Sequence, residues 1–444
     1  MTLFALTWPI FIEILLHMLM GNADTLMLSQ YSDNSVAAVG VSSQILALVI
    51  VMFGFISTGT SVLIAQHLGA NEQKSAREVA VVSLVGNLIF GSIISLILYI
   101  FGKNILQLMS IPEELIREAY TYLVIVGGFS VIQGIIMTIG SIIRSYGFTK
   151  DSMYVTIGMN ILNVVGNYVF IFGPFGIPVL GVEGVAISTV VSRLIGLIVL
   201  VFLLVWRIEG SLPFSKVFTL PVIHTKNLLK IGIPSAGENL MYNASQLVIT
   251  YFITMIGTEA LTTKVYTQNI MMFIFLFSFA ISQGTQIIIG HMIGAKQYED
   301  AYERCIKSLK LAILISFSSA IIISIFSKQF FGIFTDNPSI IELGSLLILL
   351  TIILEPGRSF NLVVISALRA AGDVRFPVYI GILVMWGVGV TISYILGIHF
   401  GLGLIGIWIS FIADEWLRGI IMLYRWKSKV WIRKTFIKHE DQPA

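Results

Sequence analysis

Four positions near the start of the chain fall on one line. Glu13, His17, Met20 and Asp24 follow i, i+4, i+7, i+11 spacing, which on a helix of 3.6 residues per turn is a single stripe. The stretch around them is apolar, so the stripe is expected to face a helix-packed interior or a wet cavity and not lipid. Asp24, in "GNADTLM", is the strongest candidate for chemistry. An ionisable side chain inside a membrane helix costs about 2.5–3.5 kcal/mol on insertion scales and marks a functional site by default; the alternative is a water-exposed helix end. His17 titrates near working pH and could relay protons, or could be a buried histidine bonded to a neighbour. Glu13 recurs as Glu238, each one turn after a proline (Pro9, Pro234). That duplication suggests a structural task, such as accepting from backbone groups that the proline frees.

A second set of polar residues lies in "GMNILNVVGNYVFIFG", where Asn163 and Asn167 share a helix face. Their amide oxygens beside one carboxylate suit a small hard cation, and interhelical hydrogen bonding is the alternative. Further on, "GENLMYNASQ" puts Glu238, Tyr242 and Gln246 on one face, and "LEPGRSFN" holds Glu355 and Arg358. Those two could pair at i, i+3, or Arg358 could neutralise Glu238; left alone, either charge would be expensive. Lys150 and Asp151, and Asp373 and Arg375, read as loop-stabilising charges. Gly59, Gly69, Gly284 and Gly294 read as points of close helix approach.

The elements carrying these residues follow from composition. Of 444 residues 56% are hydrophobic and 11% charged, against roughly 25% charged in a soluble domain, so lipid is the natural solvent. Taking ~20 apolar residues per span, twelve spans are expected, near 6–29, 37–67, 79–101, 118–143, 153–173, 182–206, 232–256, 265–290, 309–327, 339–368, 377–397 and 404–424. The first is read as a retained span and not a signal peptide. If alternate loops face one side, that side holds twenty of the 27 Lys and Arg residues, so both termini are expected in the cytoplasm. Cys305 is the only cysteine, which rules out an intramolecular disulfide and a cysteine metal cluster. The chain shows neither a nucleotide-binding Gly-rich loop nor an HExxH or GxSxG motif. No cofactor, no enzyme activity and no nucleic-acid partner are expected.

A shift of 225 residues superimposes "WPIFIE" on "IPSAGE", "ISTGT" on "ISQGT", and Ser141, Arg144 and Gly147 on Ser366, Arg369 and Gly372. Six spans per copy is even, so the copies are parallel repeats, a transporter architecture that works by alternating access across a central cleft. The expected division is a six-helix lobe at 1–206, a linker at 207–226, a second six-helix lobe at 227–424 and a basic tail at 425–444. The copies differ at the polar positions: Asp24 aligns with Ile249, Asn163 with Val388 and Gln133 with Arg358.

"MGNADTLMLSQYSDNSVAAVG", "AQHLGANEQKSAREV" and "ALRAAGD" together resemble the MATE (multidrug and toxic compound extrusion) family, particularly its NorM-like bacterial branch, over residues 6 to 425. The resemblance implies an all-α membrane fold of two pseudo-symmetric lobes and a secondary antiporter of the cell membrane. Such a protein exports lipophilic, often cationic organic compounds against H⁺ or Na⁺, and is expected to act as a monomer among membrane lipids. It also implies a cluster around Asp24 of Asn163, Asn167 and Thr189, a possible Na⁺ site. Where some relatives carry a second acid this chain has Asn167. In the second lobe, Arg358 stands where NorM-type proteins have an aspartate, so the cation site of that lobe is expected to be altered. A flippase for a lipid-linked precursor, of the same superfamily, is the competing reading; its anionic head would need basic residues, and only Arg193, Arg358 and Arg418 lie in or near spans.

Overall fold

The computed structural model describes residues 2–437 apart from Ser110 and Leu220; the end of the basic tail, 438–444, lies outside the described residues. The helices run α1 (Leu3–Ser29), α2 (Asp33–Gly69), α3 (Gln73–Leu108), α4 (Glu113–Tyr122), α5 (Ser130–Ser145), α6 (Thr149–Phe172) and α7 (Val182–Arg207). Then follow α8 (Val222–Ile256), α9 (Thr258–Gly294), α10 (Tyr298–Ile325), α11 (Ser327–Gly332), α12 (Pro338–Ala370), α13 (Arg375–Val384) and α14 (Gly403–Lys427). Helix α4 continues as a π-helical turn, Leu123–Gly127, and α13 as two, Met385–Val390 and Ser393–His399. No strand occurs among the described residues.

Nine of these helical stretches are long and apolar enough to cross a membrane, and the pair Glu113–Gly127 and Ser130–Ser145, bent by 43°, makes a tenth. Helices α8 and α14 are also long enough but more polar. Helix α8 carries Asn239, Asn243 and Gln246 in its apolar half, and α14 carries Asp414, Glu415 and Arg418 mid-helix. With these two, the helices accommodate the twelve expected spans in an all-α membrane protein.

The chain folds into two compact units. The N-terminal unit comprises Trp8–Ile64 and Glu72–Gly232; the C-terminal unit comprises the chain from Ile233 on, with Ala65–Asn71 and the first residues up to Thr7. The first unit has an apolar core including Phe53, Leu123 and Val185, and the second one including Phe331, Leu354 and Trp408. Within the C-terminal unit two repeated glycines meet reciprocally. A Cβ on Gly69 would lie 2.0 Å from the His291 carbonyl oxygen, and one on Gly294 2.0 Å from the Gln66 carbonyl oxygen. Backbone approaches backbone there, and only glycine fits.

Candidate functional site

In the N-terminal unit the site is built by α1, α6 and α7. Helix α6 ends on Gly173 in the left-handed conformation (φ 58°), and α7 begins after Gly181 (φ 55°), so the two helices form a short hairpin. Gly166 sets their spacing: a Cβ there would lie 2.2 Å from Ser188 Oγ. That closeness lets Ser188 donate to the Asn163 carbonyl at 2.9 Å and Asn163 Nδ2 to Thr189 Oγ1 at 3.2 Å. One turn along α6, Asn167 Nδ2 donates to Asp24 Oδ1 at 2.5 Å and contacts Asn163 Oδ1 at 3.4 Å. Asp24, Asn163, Asn167 and Thr189, expected to be together, are therefore one hydrogen-bonded chain, and all four are buried.

Two further groups complete the neighbourhood. Tyr122, at the end of α4, is buried and interacts electrostatically with Asp24. Arg193, one turn after Thr189 on α7, interacts electrostatically with Asp24 and Tyr122. Its Nε is buried without a hydrogen-bond partner, and no carboxylate lies within 4.0 Å of it among the described residues. Asn167 Oδ1 is likewise buried without a partner.

The rest of the α1 stripe divides. Glu13 is buried and accepts from Arg144 Nη1 at 2.6 Å and from Ser152 Oγ at 3.0 Å. His17 is accessible and feels the charges of Glu13, Arg193 and Arg144. The partners of Glu13 are thus side chains of α5 and α6 and not proline-freed backbone groups. A guanidinium offers a full charge to a buried carboxylate, which a backbone amide cannot.

The same device recurs in the C-terminal unit, where Glu238 pairs with Arg369. Glu13 and Arg144 map onto Glu238 and Arg369 under the 225-residue shift. That removes Glu238 from the two partners open to Arg358. Arg358 instead binds Glu355 Oε1 at 2.6 Å, the internal i, i+3 pair, and reaches Glu415 at 3.6 Å. Tyr242 is half-exposed and interacts electrostatically with Arg358, Glu415, Arg418 and Asp414. Gln246 hydrogen-bonds to none of them among the described residues. Two further charge pairs lie away from these clusters: Asp151 with Arg207 at 2.6 Å, and Asp373 with Arg425 at 2.7 Å.

Sequence reasoning missed Asp414 and Glu415. They lie on α14 beside Arg418, three charges in the middle of an expected span, and the rule that singled out Asp24 applies to them equally. Arg144 and Arg369 fall one residue beyond the expected spans 118–143 and 339–368; they occupy the last turns of α5 and α12.

The comparisons agree with this architecture. The model of the MatE family matches residues 9–169 and again 234–395, so each repeat is a copy of the family unit, and the chain belongs to the MatE family. It is 58% identical to YisQ, an uncharacterized transporter of Bacillus subtilis, with 98% of this chain and 95% of the relative covered. It is 28% identical to a probable multidrug resistance protein NorM of Thermotoga maritima, covering 99% and 94%. A solved structure of MATE in its bent conformation superimposes with a TM-score of 0.88 at 21% identity, covering 98% of this chain and 96% of that one. At that identity the likeness is one of fold.

Proposed function

We propose that this protein exports lipophilic, often cationic organic compounds across the cell membrane by secondary alternating access, with Asp24 as the coupling carboxylate and the proton as the coupling ion. Both termini lie in the cytoplasm, in keeping with the Lys and Arg distribution, and the chain works as a single copy. The division into lobes at 1–206 and 227–424 joined by a linker at 207–226 belongs to the same reading.

The observation carrying the proposal is the Asp24–Asn167 contact. Ionised, Asp24 accepts the Asn167 amide N–H at 2.5 Å. Protonated, it becomes a donor, and the bare Asn167 Oδ1 is the matching acceptor once the amide turns over. Proton binding thus remakes the contact between α1 and α6, a local two-state element of the kind that alternating access requires.

Sodium fits less well. Asp24, Asn163, Asn167 and Thr189 could offer four oxygens, but Asn167 turns its N–H group, not its oxygen, to Asp24. The Arg193 charge acts on Asp24 as well, so carboxylate and guanidinium leave no net negative charge for a metal ion. The flippase reading loses ground because Arg358 and Arg418 are both engaged by carboxylates.

The test is ethidium transport in proteoliposomes under separately imposed pH and Na⁺ gradients. The pH gradient alone should drive it, and Asp24→Asn should abolish it. Transport unchanged in Asp24→Asn removes Asp24 from the mechanism, and transport driven by Na⁺ alone removes the proton.

A further inference from the structure

The C-terminal unit holds a linear chain of five charges between α12 and α14. Glu355 Oε1 accepts from Arg358 Nη1 at 2.6 Å, and Arg358 Nε reaches Glu415 Oε1 at 3.6 Å. Glu415 Oε2 lies 3.2 Å from Arg418 Nη2, which in turn binds Asp414 Oδ2 at 2.6 Å. In order the charges run carboxylate, guanidinium, carboxylate, guanidinium, carboxylate. The middle acid, Glu415, is paired through both oxygens, Oε1 with Arg358 and Oε2 with Arg418, and Asn361 Nδ2 also donates to Oε2 at 2.9 Å. The two terminal acids are not. Glu355 Oε2 and Asp414 Oδ1 are buried without a hydrogen-bond partner among the described residues, and so is Asn361 Oδ1.

The groups facing this chain do not cancel the surplus. From α8 come Tyr242, neutral as a phenol, and Glu238, which acts on Arg418 but is matched by Arg369. From α9 the Phe275 ring lies 6.0 Å from the Arg358 guanidinium carbon. The π-helical stretch after α13 brings Gly389, whose Cβ would touch Asp414 at 3.6 Å. Three carboxylates against two guanidiniums therefore leave one negative charge, with Glu355 fully buried. A buried unpaired carboxylate carries a penalty that proteins relieve by neutralising it.

We propose that this chain of charges is a proton-binding site holding one proton on its terminal carboxylates, Glu355 or Asp414. A proton added to either bare oxygen removes the surplus charge. It also supplies the hydrogen-bond donor that three bare acceptor oxygens in the neighbourhood lack. The proton fits better than a metal ion, because no three acidic, His or Cys side chains among the described residues converge on a common point. It fits better than an organic ammonium group because the bare oxygens are closed off. Two of the three acids come from α14, and the guanidinium of Arg358 takes the place of an acid. The site is independent of the Asp24 reading and of any identified substrate.

The test is infrared spectroscopy of the purified full-length chain in lipid nanodiscs near neutral pH, reading the stretching band of protonated carboxyl groups and its shift in D₂O. An Asp24→Asn background keeps the N-terminal unit's acid out of the signal. That parent should show the band of one protonated carboxyl. Glu355→Gln leaves two acids and two guanidiniums and should lose it, and so should Asp414→Asn, which stands in if the first variant does not fold. The double variant Asp414→Asn/Arg418→Gln leaves Glu355, Arg358 and Glu415, again one acid in excess, and should keep the band. A band missing in the parent, or retained in full in both single variants, overturns the proposal. So does a band that disappears on adding Na⁺ at constant pH, which would make the ligand a metal ion. None of these readings uses transport, so failure here is separate from failure of Asp24 as the coupling residue.

Discussion

Replacing Glu238 with glutamine leaves the Arg369 guanidinium without its counter-charge inside the C-terminal unit. Removing one partner of a buried ion pair costs about 3–5 kcal/mol. Here the arginine and glutamate side chains keep 18% and 12% exposure, and glutamine still offers one acceptor oxygen, so the lower end, about 3 kcal/mol, applies. For a unit of this size each kcal/mol moves the melting midpoint by about 2–4 °C, giving an expected loss of about 6–12 °C. The sequence supplies its own reporter. Cys305 is the only cysteine and is completely buried on α10, so a thiol-reactive fluorogenic dye labels it only as this unit opens. Midpoints would be compared for the parent, Glu238→Gln, Arg369→Met and the double variant in one detergent. The double variant removes both charges and should melt closer to the parent than Glu238→Gln does. A Glu238→Gln midpoint within about 2 °C of the parent, or a double variant that simply adds the two losses, would refute the idea of a coupled pair.

Other outcomes follow from the same geometry. Gly294→Ala should lower the midpoint by the cost of overpacking, about 1–3 kcal/mol or more, because its Cβ would meet backbone and not a movable side chain; an unchanged midpoint would mean that α2 and α9 are not in contact there. Asn167→Ala leaves Asp24 Oδ1 without its donor. It should shift the pH dependence of ethidium transport toward alkaline values, since loss of a bond to the charged form favours protonation; an unshifted profile would separate Asn167 from the coupling step. Combining Asn167→Asp with Arg193→Gln changes the local charge by two units toward the negative, and transport in proteoliposomes should become Na⁺-stimulated. If it stays indifferent to Na⁺, charge balance is not what selects the ion.

Much of the N-terminal site was legible because its chemistry is written along single helices. Asp24 stood out as an acid in an apolar stretch, and Asn163 and Asn167 as an i, i+4 pair; the hydrogen bonds joining them then followed from a hairpin that Gly166, Gly173 and Gly181 shape. Thr189 was reachable only through the family likeness, since one threonine in "ISTVVSR" carries no signal of its own. The 225-residue frame made the fold readable, and it had already aligned Glu13 with Glu238 and Arg144 with Arg369. What it could not give was the bond between them, which spans 131 residues in each unit.

The open choice of partner for Arg358 has the same origin. Along one helix its visible neighbour is Glu355, and the only other acid weighed was Glu238, whereas the partner that completes its coordination, Glu415, comes from α14. Periodicity reports which residues share a face, and only packing reports which faces meet. The repeat still holds the missing information in a form that sequence could have supplied. The two copies share one glutamate–arginine pair at equivalent positions, so once Glu238 is assigned to Arg369 by analogy with Glu13 and Arg144, Arg358 is left over. For that leftover guanidinium, α14 carries two acids beside a second arginine. Counting those charges gives one acid too many, and that surplus is where the two copies differ most. The N-terminal unit sets Asp24 among neutral amides with one guanidinium, Arg193, acting on it, whereas the C-terminal unit sets three acids against two guanidiniums.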